Sequence, residues 1–169
     1  MKELELVIVG AITGDVYKKI YEKVSQHEFE EIKLVINSGG GSISAGFAIY
    51  DLLKAQHKKI TTYALGQCMS MATILFALGE KRYIGKHTLY MLHQSGYQAQ
   101  DERVNVSAAQ DILGNMKKHQ KQFKKILMEN STISRKKLDE ILSSPMDTYL
   151  SVKKVLKFKF ATDILEEWK

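Results

Sequence analysis

A single cysteine, Cys68, is all this chain has, so no internal disulfide can form. That fits a reducing cytoplasm. Proline is equally scarce, with Pro145 the only one, and neither a linker, an internal repeat nor a low-complexity tract interrupts the sequence. No stretch approaches the ~20 apolar residues needed to cross a bilayer. The first residues, from Met1 to Leu6, hold no long apolar run and no small-residue cleavage site, which argues against a signal peptide. Metal-binding patterns are missing too: there is no H-E-x-x-H and there are no paired cysteines. His27, His57, His87 and His119 are scattered, in the manner of surface or packing histidines. The expectation is a cytoplasmic protein with no metal, no cofactor and no membrane association.

The 169 residues are enough for one domain with a real hydrophobic core, so residues 1–169 are expected to fold as a single unit. The formal net charge is +6, and lysines dominate the second half, among them Lys117, Lys118, Lys121, Lys124, Lys125, Lys153, Lys154 and Lys157. A nucleic-acid surface is one reading. No zinc finger, aromatic RNA-binding motif or arginine-rich arm accompanies the lysines, so they read as a solvated helix face and no nucleic-acid partner is expected.

Apolar alternation over 4–9 predicts a first strand, and Val16, Ile20 and Val24, four apart, predict a helix over 15–26. Strands follow at 33–36 and 60–65, with a helix between them on the stripe Ala45, Ile49 and Leu52 or Leu53. An apolar helix is expected over 71–78 with Gly79 as its cap, then strands at 82–84 and 89–92. A long amphipathic helix spans 104–129, a shorter one 134–142, and another opens at Ser151. Strands alternating with helices argue for an α/β fold.

Three residues stand in distinctive settings: Ser70 in Gly66-Gln67-Cys68-Met69-Ser70-Met71, His93 before Gln94, and Asp147 in Asp147-Thr148-Tyr149-Leu150-Ser151. A serine hydroxyl is a poor nucleophile at neutral pH; it needs a base to take its proton and a third group to orient that base. Upstream, Asn37-Ser38-Gly39-Gly40-Gly41-Ser42 offers a glycine turn whose amides could stabilise an oxyanion. Gly41 and the Met71 amide, next to Ser70 at a helix start, are the natural donors. Together these segments read as a serine hydrolase. Taken singly, each has a plainer reading: Ser70 as a helix N-cap, His93 as a strand-end histidine, Asp147 as a turn residue.

The run Ile36-Asn37-Ser38-x-Gly40-Gly41, then Ala45-Gly46-x-Ala48-Ile49-Tyr50-Asp51, then Gly66-Gln67-x-x-Ser70-Met71, then His93-Gln94, closely resembles the proteolytic subunit of the Clp protease over about residues 4–166. The resemblance implies Ser70 as nucleophile, His93 as general base and Asp147 as the orienting carboxylate, with Gly41 and Met71 supplying the oxyanion hole. It implies a crotonase-like stack of ββα units with a protruding handle helix from about Val104. It also implies peptide or unfolded-protein substrates, a homo-oligomer of stacked heptameric rings around a chamber, and a hexameric Clp ATPase as partner.

Several positions depart from the family pattern. The chain opens at the first core strand, so the axial segment that contacts the ATPase is expected to be missing and coupling to be lost with it. Gly39 and Ser95 stand where prolines are usual, the glycine-rich strand is shortened to Ser95-Gly96-Tyr97-Gln98, and Lys159 replaces a helix-ending glycine. Pro145 and Met146 replace an acidic–arginine pair before the aspartate. Three alternatives stay open: a cysteine hydrolase using Cys68, a dinucleotide site whose third fingerprint glycine would fall on Ser44, and a crotonase-fold protein without proteolysis, either an inactive ring subunit or an acyl-CoA enzyme.

Overall fold

Leu4, Leu6 and Ile8 alternate with glutamates and valines along β1 (Glu3–Val9), so one face of the strand is buried and the other is exposed. The computed structural model describes residues 2–96 and 105–168. β1 pairs in parallel with β2 (Glu31–Ser38), and β2 with β3 (Lys59–Met69). Parallel neighbours need crossovers, which α1 (Gly14–Gln26) and α2 (Ile43–Lys54) provide. α1 starts on Thr13, whose hydroxyl accepts from the Val16 amide; α2 starts on Ser42, which accepts from Ala45. Ile20 and Val24 of α1 and Ile49 and Leu53 of α2 join the core built on Leu6, Ile8, Leu34 and Ile36.

The sheet continues through β4 (Lys81–Ile84) to β7 (Asp163–Ile164) in the order β1-β2-β3-β4-β7. β3 is longer than the strand expected from the sequence. It passes Gly66, at φ +69°, with a register shift against β2, and its last residues pair with β5 (Leu89–Leu92) instead of β4. β5 in turn holds β6 (Thr148–Leu150) antiparallel, with Leu92 opposite Thr148. The predicted helix over 71–78 stops earlier: α3 is Met71–Phe76, and its cap is Ala77, not Gly79. Thr62 Oγ1 donates to the Phe76 carbonyl at 2.8 Å. A Cβ on Gly79 would lie 2.4 Å from that same hydroxyl oxygen, so the glycine serves close approach.

The second half is helical. α4 (Val106–Glu129) has 24 residues, about 36 Å of helix, yet only Phe123 and Leu127 are fully buried. Val106 is 76 % exposed. The helix was expected from Val104, which lies outside the described residues, as do Tyr97 and Gln98 of the shortened strand. α5 (Arg135–Ser143) and α6 (Val152–Lys157) follow, capped by Ser134 and Ser151. Some of the lysines are ion-paired within this half: Lys124 with Asp139, Lys125 with Glu129, Lys137 with Glu140.

Arg82 ties the two halves together. Its guanidinium donates to four carbonyls: Phe160 (2.8 Å), Gly79 (2.7 Å), Lys159 (2.9 Å) and Asn130 (3.3 Å). These belong to the turn after α3 and to the C-terminal ends of α4 and α6, where helices leave carbonyls without partners. Arg82→Ala is expected to cost about 3–5 kcal/mol in urea unfolding, because a charged donor to several part-buried acceptors is lost at once. Arg82→Lys is expected to recover little, since one ammonium cannot span the fork. An alanine variant as stable as the parent would mean that water serves those carbonyls equally well.

Candidate active site

Ser70 sits between the end of β3 and the start of α3 with φ +52° and ψ −125°, a conformation that costs a non-glycine residue about 1–3 kcal/mol. Its amide donates to the Met91 carbonyl of β5 at 3.0 Å. Ser70 is the N-cap residue of α3 by position, but its hydroxyl makes no capping bond to the helix. Instead Ser70 Oγ lies 2.6 Å from His93 Nε2.

His93 directly follows β5, and Asp147 directly precedes β6. Because Leu92 faces Thr148 in the antiparallel ladder, the next residue of one strand meets the preceding residue of the other. This brings His93 Nδ1 to 3.6 Å from Asp147 Oδ1, an ion-pair separation and longer than a hydrogen bond. The histidine side chain is 33 % exposed and the aspartate 50 %. With Nδ1 protonated toward Asp147, Nε2 is the acceptor and Ser70 donates to it. The loop before Asp147 is held by Ser144, whose Oγ accepts from the Met146 amide and donates to the Met146 carbonyl, both at 3.1 Å. Met146 is 73 % exposed.

The glycine turn abuts the serine. At Gly40, φ +99°, an added Cβ would lie 2.7 Å from Ser70 Cβ; at Gly41, φ +148°, it would lie 2.4 Å from the Ile12 carbonyl oxygen. Ile12 donates to Gly40 O and accepts from the Ser42 amide, both at 2.8 Å, so this bridge uses the groups on either side of Gly41. The Met71 amide opens α3 and has no acceptor within the helix. At six residues α3 is too short for a sizeable macrodipole, so any oxyanion stabilisation here comes from individual amides.

Gly41, Met71, Ser70 and His93 share a cleft of about 300 Å³ whose apolar wall includes Ile43, Phe47 and Phe123. His119 also lines it, its ring 6.0 Å from that of Phe47. Sequence reasoning assigned His119 to the surface or to packing. The missed signal was its spacing: one turn before the buried Phe123, it shares that residue's face of α4.

The rivals fare differently. Cys68 is fully buried, and burial pushes its thiol far above the usual range, so it is no accessible thiolate. Among the described residues no group of three His, Cys, Asp or Glu could hold a metal, and no helix is long and apolar enough to cross a membrane.

The Clp protease family matches residues 1–167 of this chain. The chain is also 29 % identical, over 178 aligned positions, to the ATP-dependent Clp protease proteolytic subunit of Streptococcus mutans serotype c, which covers 98 % of this chain and 86 % of the relative. Matched along nearly its whole length, and folded around a mostly parallel sheet in the crotonase-like manner, the chain belongs to the Clp protease family of peptidases.

Proposed function

We propose that this chain is a serine endopeptidase of the Clp proteolytic-subunit type, with Ser70 as nucleophile, His93 as general base and then acid, and Asp147 as the carboxylate that orients His93. The observation that carries the reading is the 2.6 Å contact between Ser70 Oγ and His93 Nε2 at a strained turn that the helix does not use for capping. Ser70 attacks the peptide carbonyl while His93 takes its proton; the Gly41 and Met71 amides receive the oxyanion; His93 returns the proton to the leaving amine. Water then repeats the sequence on the acyl-enzyme. Asp147 stabilises the imidazolium in both halves. Its 3.6 Å separation from His93 must shorten by under about 1 Å to become a hydrogen bond, a change typical of sites that tighten around substrate.

In this reading residues 1–169 are one domain, working in the cytoplasm as a homo-oligomer of heptameric rings, stacked through α4, around a chamber that admits peptides or unfolded chains. The long helix with exposed Val106 and Leu113 supports a ring contact on α4. The relative's name carries ATP dependence for that protein. A fluorophosphonate is expected to label the wild-type assembly once per chain, on the peptide that carries Ser70, with parallel loss of fluorogenic-peptide cleavage. An unlabelled assembly that cleaves nothing would instead mark a ring subunit without proteolysis.

A further inference from the structure

The turn that presents Ser70 is held from behind by a side chain outside the proposed chemistry. The Ser70 carbonyl accepts two hydrogen bonds from Thr73: the backbone amide at 3.0 Å and the hydroxyl at 2.7 Å. The first is available to almost any residue at that place in a helix. The second needs a hydroxyl, and Thr73 keeps one at a fully buried position among Ala72, Ile74, Leu75 and Phe76. A hydroxyl buried there is unfavourable unless it is bonded. Donation to the Ser70 carbonyl is the bond that satisfies the Thr73 hydroxyl.

This hydrogen bond acts on one peptide plane. The carbonyl of Ser70 and the amide of Met71 belong to the same planar trans unit and point in opposite directions. Fixing the carbonyl therefore fixes where the Met71 N–H points. The other side of Ser70, its own amide, is held by Met91 of β5, the strand that also carries Tyr90 and leads into His93.

We propose that Thr73 is a positioning residue that aims the Met71 amide at the oxyanion and keeps Ser70 Oγ against His93. The proposal rests on the reading of Ser70 as nucleophile.

The test is steady-state cleavage of a fluorogenic peptide by intact assemblies, together with inhibition by a peptide boronate, which forms the tetrahedral adduct. Thr73→Val keeps shape and removes the hydroxyl; kcat is expected to fall about tenfold, with KM nearly unchanged and boronate affinity weakened in parallel. Thr73→Ser is expected to restore kcat to within about twofold, which a purely packing role would not do. Thr73→Ala also removes the hydroxyl, without adding an apolar branch, and is expected to lose a similar factor in kcat. Wild-type kcat in Thr73→Val, or a serine variant as slow as the valine one, overturns the proposal. Should the valine variant not fold, unchanged kcat in Thr73→Ala overturns it. Full cleavage by Ser70→Ala would sink the nucleophile assignment and this proposal together; loss there with an unaffected Thr73→Val sinks this proposal alone.

Discussion

Ser70→Ala is expected to lose about 10⁴-fold or more in peptide cleavage and all fluorophosphonate labelling, with fold and assembly intact. The change deletes one oxygen from a turn whose backbone bonds, Ser70 N to Met91 O and Thr73 N to Ser70 O, do not involve that oxygen. Stability is therefore expected to stay close to wild type. The rival nucleophile is Cys68, two residues before Ser70 and buried. Labelling that survives in Ser70→Ala and disappears in Cys68→Ala would transfer the nucleophile to the cysteine. Labelling that survives in both would place it elsewhere.

His93→Ala is expected to lose a comparable factor, because Ser70 Oγ then has no base within reach. Addition of free imidazole to His93→Ala is expected to restore part of the lost cleavage, because the small base can enter the space that the side chain vacates. His119 is the control, since it lines the same cleft without contacting Ser70 within hydrogen-bond distance. His119→Ala is expected to change the choice of peptide and leave most of the cleavage in place. Cleavage lost in His119→Ala and kept in His93→Ala would exchange their roles.

The sheet and the helices that flank it were legible where periodicity is long. Leu4, Leu6 and Ile8 mark β1 by alternation, and Val16, Ile20 and Val24 mark α1 by their spacing. β6 and β7 were not legible: with three and two residues they exist through pairing with β5 and β4, which no local pattern encodes. The end of α3 was misjudged for a related reason, since the hydroxyl that takes the Phe76 carbonyl comes from Thr62, on another strand. The settings of Ser70 and His93 stood out because each is a short run at a strand end. Asp147 stood out by its own short run, but its approach to His93 was not legible, because it depends on the register of three residue pairs. His119 was read only as a surface or packing histidine, and Thr73 only as part of an apolar helix.

Arg82 also bears on how the chain is completed during synthesis. Of its four guanidinium acceptors only Gly79 is already made when Arg82 emerges; Asn130 comes 48 residues later, Lys159 77 and Phe160 78. The neighbour of β4 on its outer side, β7, belongs to the same late segment. At ordinary translation rates that interval is on the order of ten seconds. Throughout it the nascent sheet carries β4 as an open, bare edge, the kind of surface that recruits strands from other chains. The Arg82 fork and β7 close that edge together, so the hazard ends only when residues 159–164 have reached the sheet.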